Sequence, residues 1–158
     1  MLVFTTKYMN FSRYYSGAFD PNIIAYSYDG DINTSWQDGV PRNGSGEVLT
    51  YYFDQPRYIV GVDIINGRVD IEKNYYDNNR IERLVVYYVL DGVVRANAVV
   101  DLDDVYNMEP VYYELTDGVF NEAYYCDSIQ IEIESVYEGE KFNDLCLTEI
   151  QFYEGIYE

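Results

Sequence analysis

Two runs of strand-forming residues, Ile81 to Leu90 and Val93 to Leu102, are separated only by Asp91-Gly92. That dipeptide accepts the positive φ values of a type I′ turn, whose twist matches that of paired strands, so the segment predicts a β-hairpin. The same alternation of strand formers and turn residues continues along the chain. Glu47 to Phe53 and Arg57 to Ile65 flank Asp54-Gln55-Pro56, which predicts two strands with a tight connection. Val111 to Thr116 predicts a short strand ended by Asp117-Gly118. Ile129, Ile131 and Ile133 alternate with Gln130, Glu132 and Glu134, as in a strand with one buried and one wet face. A last strand is predicted over Cys146 to Tyr153. Helix periodicity is missing from any stretch of about ten residues, leaving only short helical turns near Pro21 to Ala25 or Asp101 to Tyr106. Short strands without crossover helices predict one all-β domain over residues 1–158, an antiparallel β-sandwich or jelly roll.

Composition then removes whole classes of function. The formal net charge is −18, from 10 Lys plus Arg against 28 Asp plus Glu. Nucleic acid is excluded as a partner because phosphate binding requires a basic stripe that releases counterions. The chain has no histidine, which removes Ser-His-Asp triads, Cys-His dyads and His-ligated metals. With 48% hydrophobic and 18% aromatic residues the chain is too apolar to be an acidic disordered segment. The longest apolar run, Leu84 to Leu90, is seven residues, far short of a membrane-spanning helix, so no membrane insertion is expected. Cys126 and Cys146 lie twenty positions apart, outside any Cys-x-x-Cys motif. Two reduced, buried thiols are expected, with a disulfide as the alternative in an oxidising compartment.

The densest run of hard oxygen ligands is Asp29-Gly30-Asp31-Ile32-Asn33-Thr34-Ser35-Trp36. Such a loop suits calcium, which takes six to eight oxygens, but an EF-hand is excluded because Thr34 and Val40 stand where Gly and Glu are required. An Asx-type turn without metal uses the same residues. Trp36, the only tryptophan, reads as a core anchor or a sugar-stacking platform.

The stretch Tyr28 to Trp36 resembles the Asp-Gly-Asp…Thr-x-Trp signature of discoidin-like, coagulation factor 5/8 type C modules, and Leu147-Thr148-Glu149-Ile150-Gln151-Phe152 resembles their closing strand. Ile65-Asn66-Gly67, Asn74 to Ile81 and Val136 to Asp144 are similar to a bacterial branch, the glycan-binding module in front of secreted NAD glycohydrolase toxins. The resemblance covers about Asn22 to Tyr153, and Met1 to Tyr15 reads as an added first strand or a domain junction. It implies a galactose-binding-like jelly roll of about eight strands, excised from a larger extracellular or cell-surface bacterial protein. It further implies a structural calcium held by Asp29, Asp31, Thr34 and Glu149, with Trp36 packed in the core. Such a cation would tie an early loop to the C-terminal strand and offset part of the negative charge.

Sugar sites pair an aromatic face with planar polar groups. Tyr75, Tyr76, Asn78, Asn79 and Arg80 supply both and form the first candidate site, in an expected loop before a strand. Tyr137, Glu138, Lys141, Asn143 and Asp144 form a second, with Arg68 a weaker member. The expected function is noncatalytic binding of glycans, neutral or cationic ones by charge. The alternative is a protein-interaction or translocation module, contacting other domains of the parent protein through the same tyrosine-rich surface.

Overall fold

The computed structural model describes residues 2–5, 9–11, 24–39, 41–116 and 121–156. Nine strands and one short helix appear among them: β1 (Leu2–Thr5), β2 (Met9–Phe11), β3 (Trp36–Gln37), β4 (Val48–Asn66), α1 (Glu72–Asp77), β5 (Arg80–Leu90), β6 (Val93–Asp101), β7 (Val111–Glu114), β8 (Tyr125–Tyr137) and β9 (Cys146–Ile156). All strand pairings are antiparallel, and they make two layers, β2-β4-β8-β5-β6 and β1-β9-β4-β7, with β3 also on β9. The fold is an antiparallel β-sandwich.

β4 belongs to both layers. Its first part, Val48 to Tyr52, pairs with β8, and its last part, Ile59 to Asn66, pairs with β9. The two strands expected around Asp54-Gln55-Pro56 are therefore one bent strand. The turn signal is absorbed because pairing with β8 slips between Tyr52 and Arg57, leaving residues 54–56 exposed. Proline is tolerated there, where no ladder bond needs its missing N–H. Arg57 fastens the bend, its buried guanidinium reaching Asp54 at 2.6 Å and Glu154 at 3.0 Å.

The Asp91-Gly92 hairpin forms as expected, with Leu90 opposite Val93 and φ of 50° and 78° at the two turn residues. Val111 to Glu114, Tyr125 to Tyr137 and Cys146 to Ile156 are strands, each with bounds shifted from the expectation. Asp117-Gly118 lies outside the described residues. A 3-10 turn covers Ile24–Ser27, whereas residues 102–106 are irregular. The helix α1 replaces the loop expected before β5.

Aromatic contacts join the layers. Tyr51 of β4 meets Phe152 of β9 edge-on at 5.2 Å, and the Tyr88 hydroxyl of β5 donates to the Ile59 carbonyl at 3.0 Å. Trp36 lies in this core, 2% exposed, as the resemblance implies. Cys126 and Cys146 are both free and buried. Burial pushes the Cys146 thiol up to about 12 and raises that of Cys126, so both stay protonated at neutral pH.

Candidate functional site

One end of the sandwich gathers α1, the segment 138–145, the turn 41–47 and the connection 102–106. Arg80, at the start of β5, joins three of them, α1, 138–145 and 102–106. Its guanidinium makes a two-pronged contact with Asp104, at 2.6–3.0 Å, and donates to the carbonyls of Asn78 at 3.2 Å and Glu138 at 3.4 Å. Three tyrosine rings surround it, with centroids 4.8 Å (Tyr75), 5.5 Å (Tyr76) and 5.9 Å (Tyr137) from its central carbon. Burial works against this charge, but the hydrogen bonds and charge of Asp104 outweigh it and hold the guanidinium pKa above its ordinary value.

Asn79 ties the neighbouring loops together. Its side-chain amide donates to the Asn43 carbonyl and to Asn143 Oδ1, both at 3.1 Å, and its Oδ1 accepts from the Gly139 N–H at 2.7 Å. Asn78 donates through Nδ2 to the Asn74 carbonyl at 2.8 Å. The Tyr75 hydroxyl donates to Asp104 Oδ1 at 2.8 Å. Tyr75, Asn78, Asn79 and Arg80 are thus 0–5% exposed with their polar groups already paired. They cannot present those groups to a sugar. Their chemistry serves the shape of the site instead.

What faces solvent is a shallow groove of ≈ 450 Å³ lined by Lys73, Tyr76, Asp77 and Glu140. α1 supplies the first three and pairs Lys73 with Asp77 one helical turn apart. The opposite wall is zipped on through backbone bonds, Glu140 N–H to the Tyr76 carbonyl at 2.8 Å and Phe142 N–H to the Asp77 carbonyl at 2.7 Å. Gly139 allows this closeness, because a side chain there would run into the backbone of Asp77 and Asn78. Tyr76 alone of the first candidate set lines the groove. Tyr137 is half-buried and donates to the Leu102 carbonyl at 2.8 Å, while Glu138 is exposed. Arg68 stands apart, paired with Asp70 at 3.2 Å. Lys141 lies over the Phe142 ring, 5.2 Å from its centroid. Asp144 contributes its carbonyl to the Asn79 N–H at 2.9 Å. Sequence reasoning missed Lys73, Asp77 and Glu140; the Lys-x-x-x-Asp spacing was the available signal for two of them.

The acidic loop sits against β9. Asp29 Oδ1 accepts from the Asp31 N–H at 3.0 Å and Asp31 Oδ1 from the Asn33 N–H at 2.9 Å, consecutive Asx turns, while the Thr34 hydroxyl donates to Asp29. Glu149 Oε2 accepts from the Gly30 N–H at 2.9 Å, so the loop and the last strand do meet. Glu149 Oε1 is buried without a hydrogen-bond partner. Burial, then the charges of Asp29 and Asp31 against the opposing Gly30 hydrogen bond, push its carboxyl up to about 7. No three Asp, Glu or Cys side chains converge as a metal cage among the described residues. A cation here would therefore draw on hydroxyl or carbonyl oxygens as well, the donor set calcium accepts. The orphaned Glu149 oxygen fits that group.

This β-sandwich is the fold of F5/8 type C and CBM32 modules. Residues 16–153 match the family described as NAD glycohydrolase translocation F5/8 type C domain, and the chain belongs to it. The Streptococcus pyogenes NAD+-glycohydrolase translocation domain is similar at 32% identity and a TM-score of 0.54, over 75% of this chain and 96% of that one. A truncated AlyQ with CBM32 and alginate lyase domains superposes over 99% of this chain with a TM-score of 0.66 and 14% identity. This chain spans 34% of that protein's length. The family 32 module of Clostridium perfringens NanJ, in complex with galactose, superposes with a TM-score of 0.54 and 18% identity over 92% of this chain and 93% of that one. Curated proteins show no significant sequence match.

Proposed function

We propose that this domain is a noncatalytic glycan-binding accessory module of a larger extracellular bacterial protein. The groove beside α1 is the observation that carries this reading. Tyr76 offers an aromatic wall for the C–H face of a sugar ring, and the exposed Lys73 and Glu140 offer a donor and acceptors for its hydroxyls, with buried Asp77 paired to Lys73. The buried Arg80 and Asn79 networks hold these groups in place before a ligand arrives, which reduces the ordering cost of binding. The acidic surface selects neutral or cationic sugars over sialylated or sulfated ones. The galactose-bound relative on the same fold supports the substrate class. Calcium, held by Glu149 with Asp29, Asp31 and Thr34, would act structurally by locking the loop onto β9.

A glycan array in calcium buffer tests the reading. Neutral or amino-sugar oligosaccharides are expected to bind, and Tyr76→Ala is expected to weaken them about tenfold or more, from loss of one stacked ring. Failure of every neutral and cationic glycan at millimolar affinity would overturn it.

The likeness to a translocation domain favours a second reading, contact with another domain or receptor. Retention of the parent protein's other domains in a pull-down separates the two, because a pure glycan module leaves them behind.

A further inference from the structure

A second cleft lies along the connection 102–110, where it meets β4 and β7. Strand register places Val111 and Tyr113 on the core side of β7, opposite Ile64 and Val62 of β4. Ile64 and Val111 thus form an apolar floor, and the space above it is ≈ 200 Å³. That is room for several water molecules, and so for a short chain of ligand atoms. The side chains of the connection alternate. Asp104 turns onto Arg80 at 2.6 Å, and Tyr106 onto the Tyr75 ring with 5.8 Å between centroids. Asp103, Val105 and Asn107, the residues between and after them, line the cleft instead. The same contacts that build the Arg80 cluster therefore fix this wall. Asn66 lines the cleft as well, both of its amide atoms held by the Ile81 backbone at 2.7 and 2.9 Å. Asn107 Oδ1 accepts from the Glu109 N–H at 2.9 Å, a tight turn that brings Glu109 to the rim.

The cleft is apolar at its floor and acidic at its rim. Asp101 and Asp104 are paired with Arg83 and Arg80, whereas Asp103 and Glu109, both exposed, have no cationic partner among the described residues. Val105 presents an apolar side wall that is 62% exposed. We propose that this cleft binds an aliphatic ammonium ion, its carbon stem against Ile64, Val105 and Val111 and its charge at Asp103 and Glu109. A bare cation gains nothing from the apolar floor, and a neutral chain gains nothing from the carboxylates, so both parts are needed in one molecule. The net charge of −18 draws cations to this surface and disfavours anionic ligands of the same size. The proposal is independent of glycan binding, since the cleft shares no lining residue with the groove.

Methyl NMR signals of Ile64, Val105 and Val111 can be followed while n-butylammonium chloride is added to the domain. Saturable shifts at these methyls are expected. Methylammonium, which carries the charge without the stem, is expected to bind about fivefold more weakly, the effect of three methylenes half removed from water. 1-Butanol, the stem without the charge, is expected to be weaker by about threefold or more, and Asp103→Asn combined with Glu109→Gln to lower butylammonium affinity about three- to tenfold, the scale of two exposed ion pairs. Both substituted residues are exposed, and the ligand series is measured on the native chain, so a folding defect cannot imitate the pattern. Absence of saturable shifts at these methyls up to about 50 mM butylammonium, a range that covers weak affinities, overturns the proposal. So does either control ligand binding as tightly as butylammonium, or a double variant with unchanged affinity. Nα-acetyl-lysine N-methylamide shifting the same methyls at least as tightly as butylammonium assigns the ammonium to a lysine of a polypeptide, and weaker binding assigns it to a free amine.

Discussion

Arg80 shows how a charged residue can be spent on architecture. It is 5% exposed, bonded to Asp104 and to two carbonyls, and boxed by tyrosine rings, so removing it strands a carboxylate and two acceptors at once. Arg80 is the buried member, Asp104 being one-third exposed, and losing its hydrogen bonds together with its packing among three tyrosine rings costs on the order of 3 kcal/mol. Arg80→Ala is therefore expected to lower the melting temperature by roughly 6–12 °C, checked by thermal denaturation. Asp38 acts in the opposite sense. It is fully buried, its Oδ1 accepts from the Leu145 N–H at 3.2 Å, and its Oδ2 has no hydrogen-bond partner. Burial first, with Asp144 and Glu47 adding repulsion, raises its carboxyl from 3.8 to about 6. The folded chain then holds a proton that the unfolded chain has released, so Asp38 takes stability away as pH rises from about 4 to about 6. Asp38→Asn is expected to flatten that decline, measured by urea denaturation at pH 4, 5, 6 and 7; an unchanged pH profile removes the assignment. Neither role was legible in the sequence. A lone Arg or Asp reads as a surface residue by default, and only long-range neighbours, Asp104 for one and Leu145 for the other, decide otherwise.

At the scale of elements, legibility follows how local the determining contacts are. The β5-β6 hairpin was readable because Asp91 and Gly92 dictate their own backbone. The bend in β4 was not, because Pro56 signals a break in isolation while β8 and β9 hold the strand together on either side of it. The helix α1 has only six residues, too few to show a period, and what holds it is the segment 138–145 rather than its own propensity. Residues of the first candidate set lie beside the groove, yet only Tyr76 of them opens onto it. The β5 start buries Asn79 and Arg80, and α1 turns Tyr75 inward. The seam between α1 and 138–145 makes its own prediction. Gly139→Ala places a methyl against the Asp77 carbonyl, and such overpacking costs about 1–3 kcal/mol. Glycan affinity is expected to fall with it, since Glu140 is carried away from Tyr76. Titration of the variant with the best array ligand checks this, and undiminished affinity would detach the groove from the seam.

For the molecule as a whole, the acidic loop and β9 are the parts where a cation would matter most. If Glu149, Asp29, Asp31 and Thr34 hold calcium, saturating calcium stabilises the folded state by mass action. A rise in melting temperature of roughly 5–10 °C is expected at about one hundred times the dissociation constant. Glu149→Gln should abolish most of that rise, and identical melting curves in calcium and in chelator would remove the metal. The shared strand β4 has a different consequence. Because one covalent rod runs through both layers, neither can peel away while the other stays intact: loosening Val48 to Tyr52 pulls on Ile59 to Asn66. The sandwich is then a single cooperative unit, not a pair of separable sheets. Amide protons at Tyr51 and Val62, at the two ends of that rod, should exchange with solvent at the same opening free energy, equal to that of global unfolding.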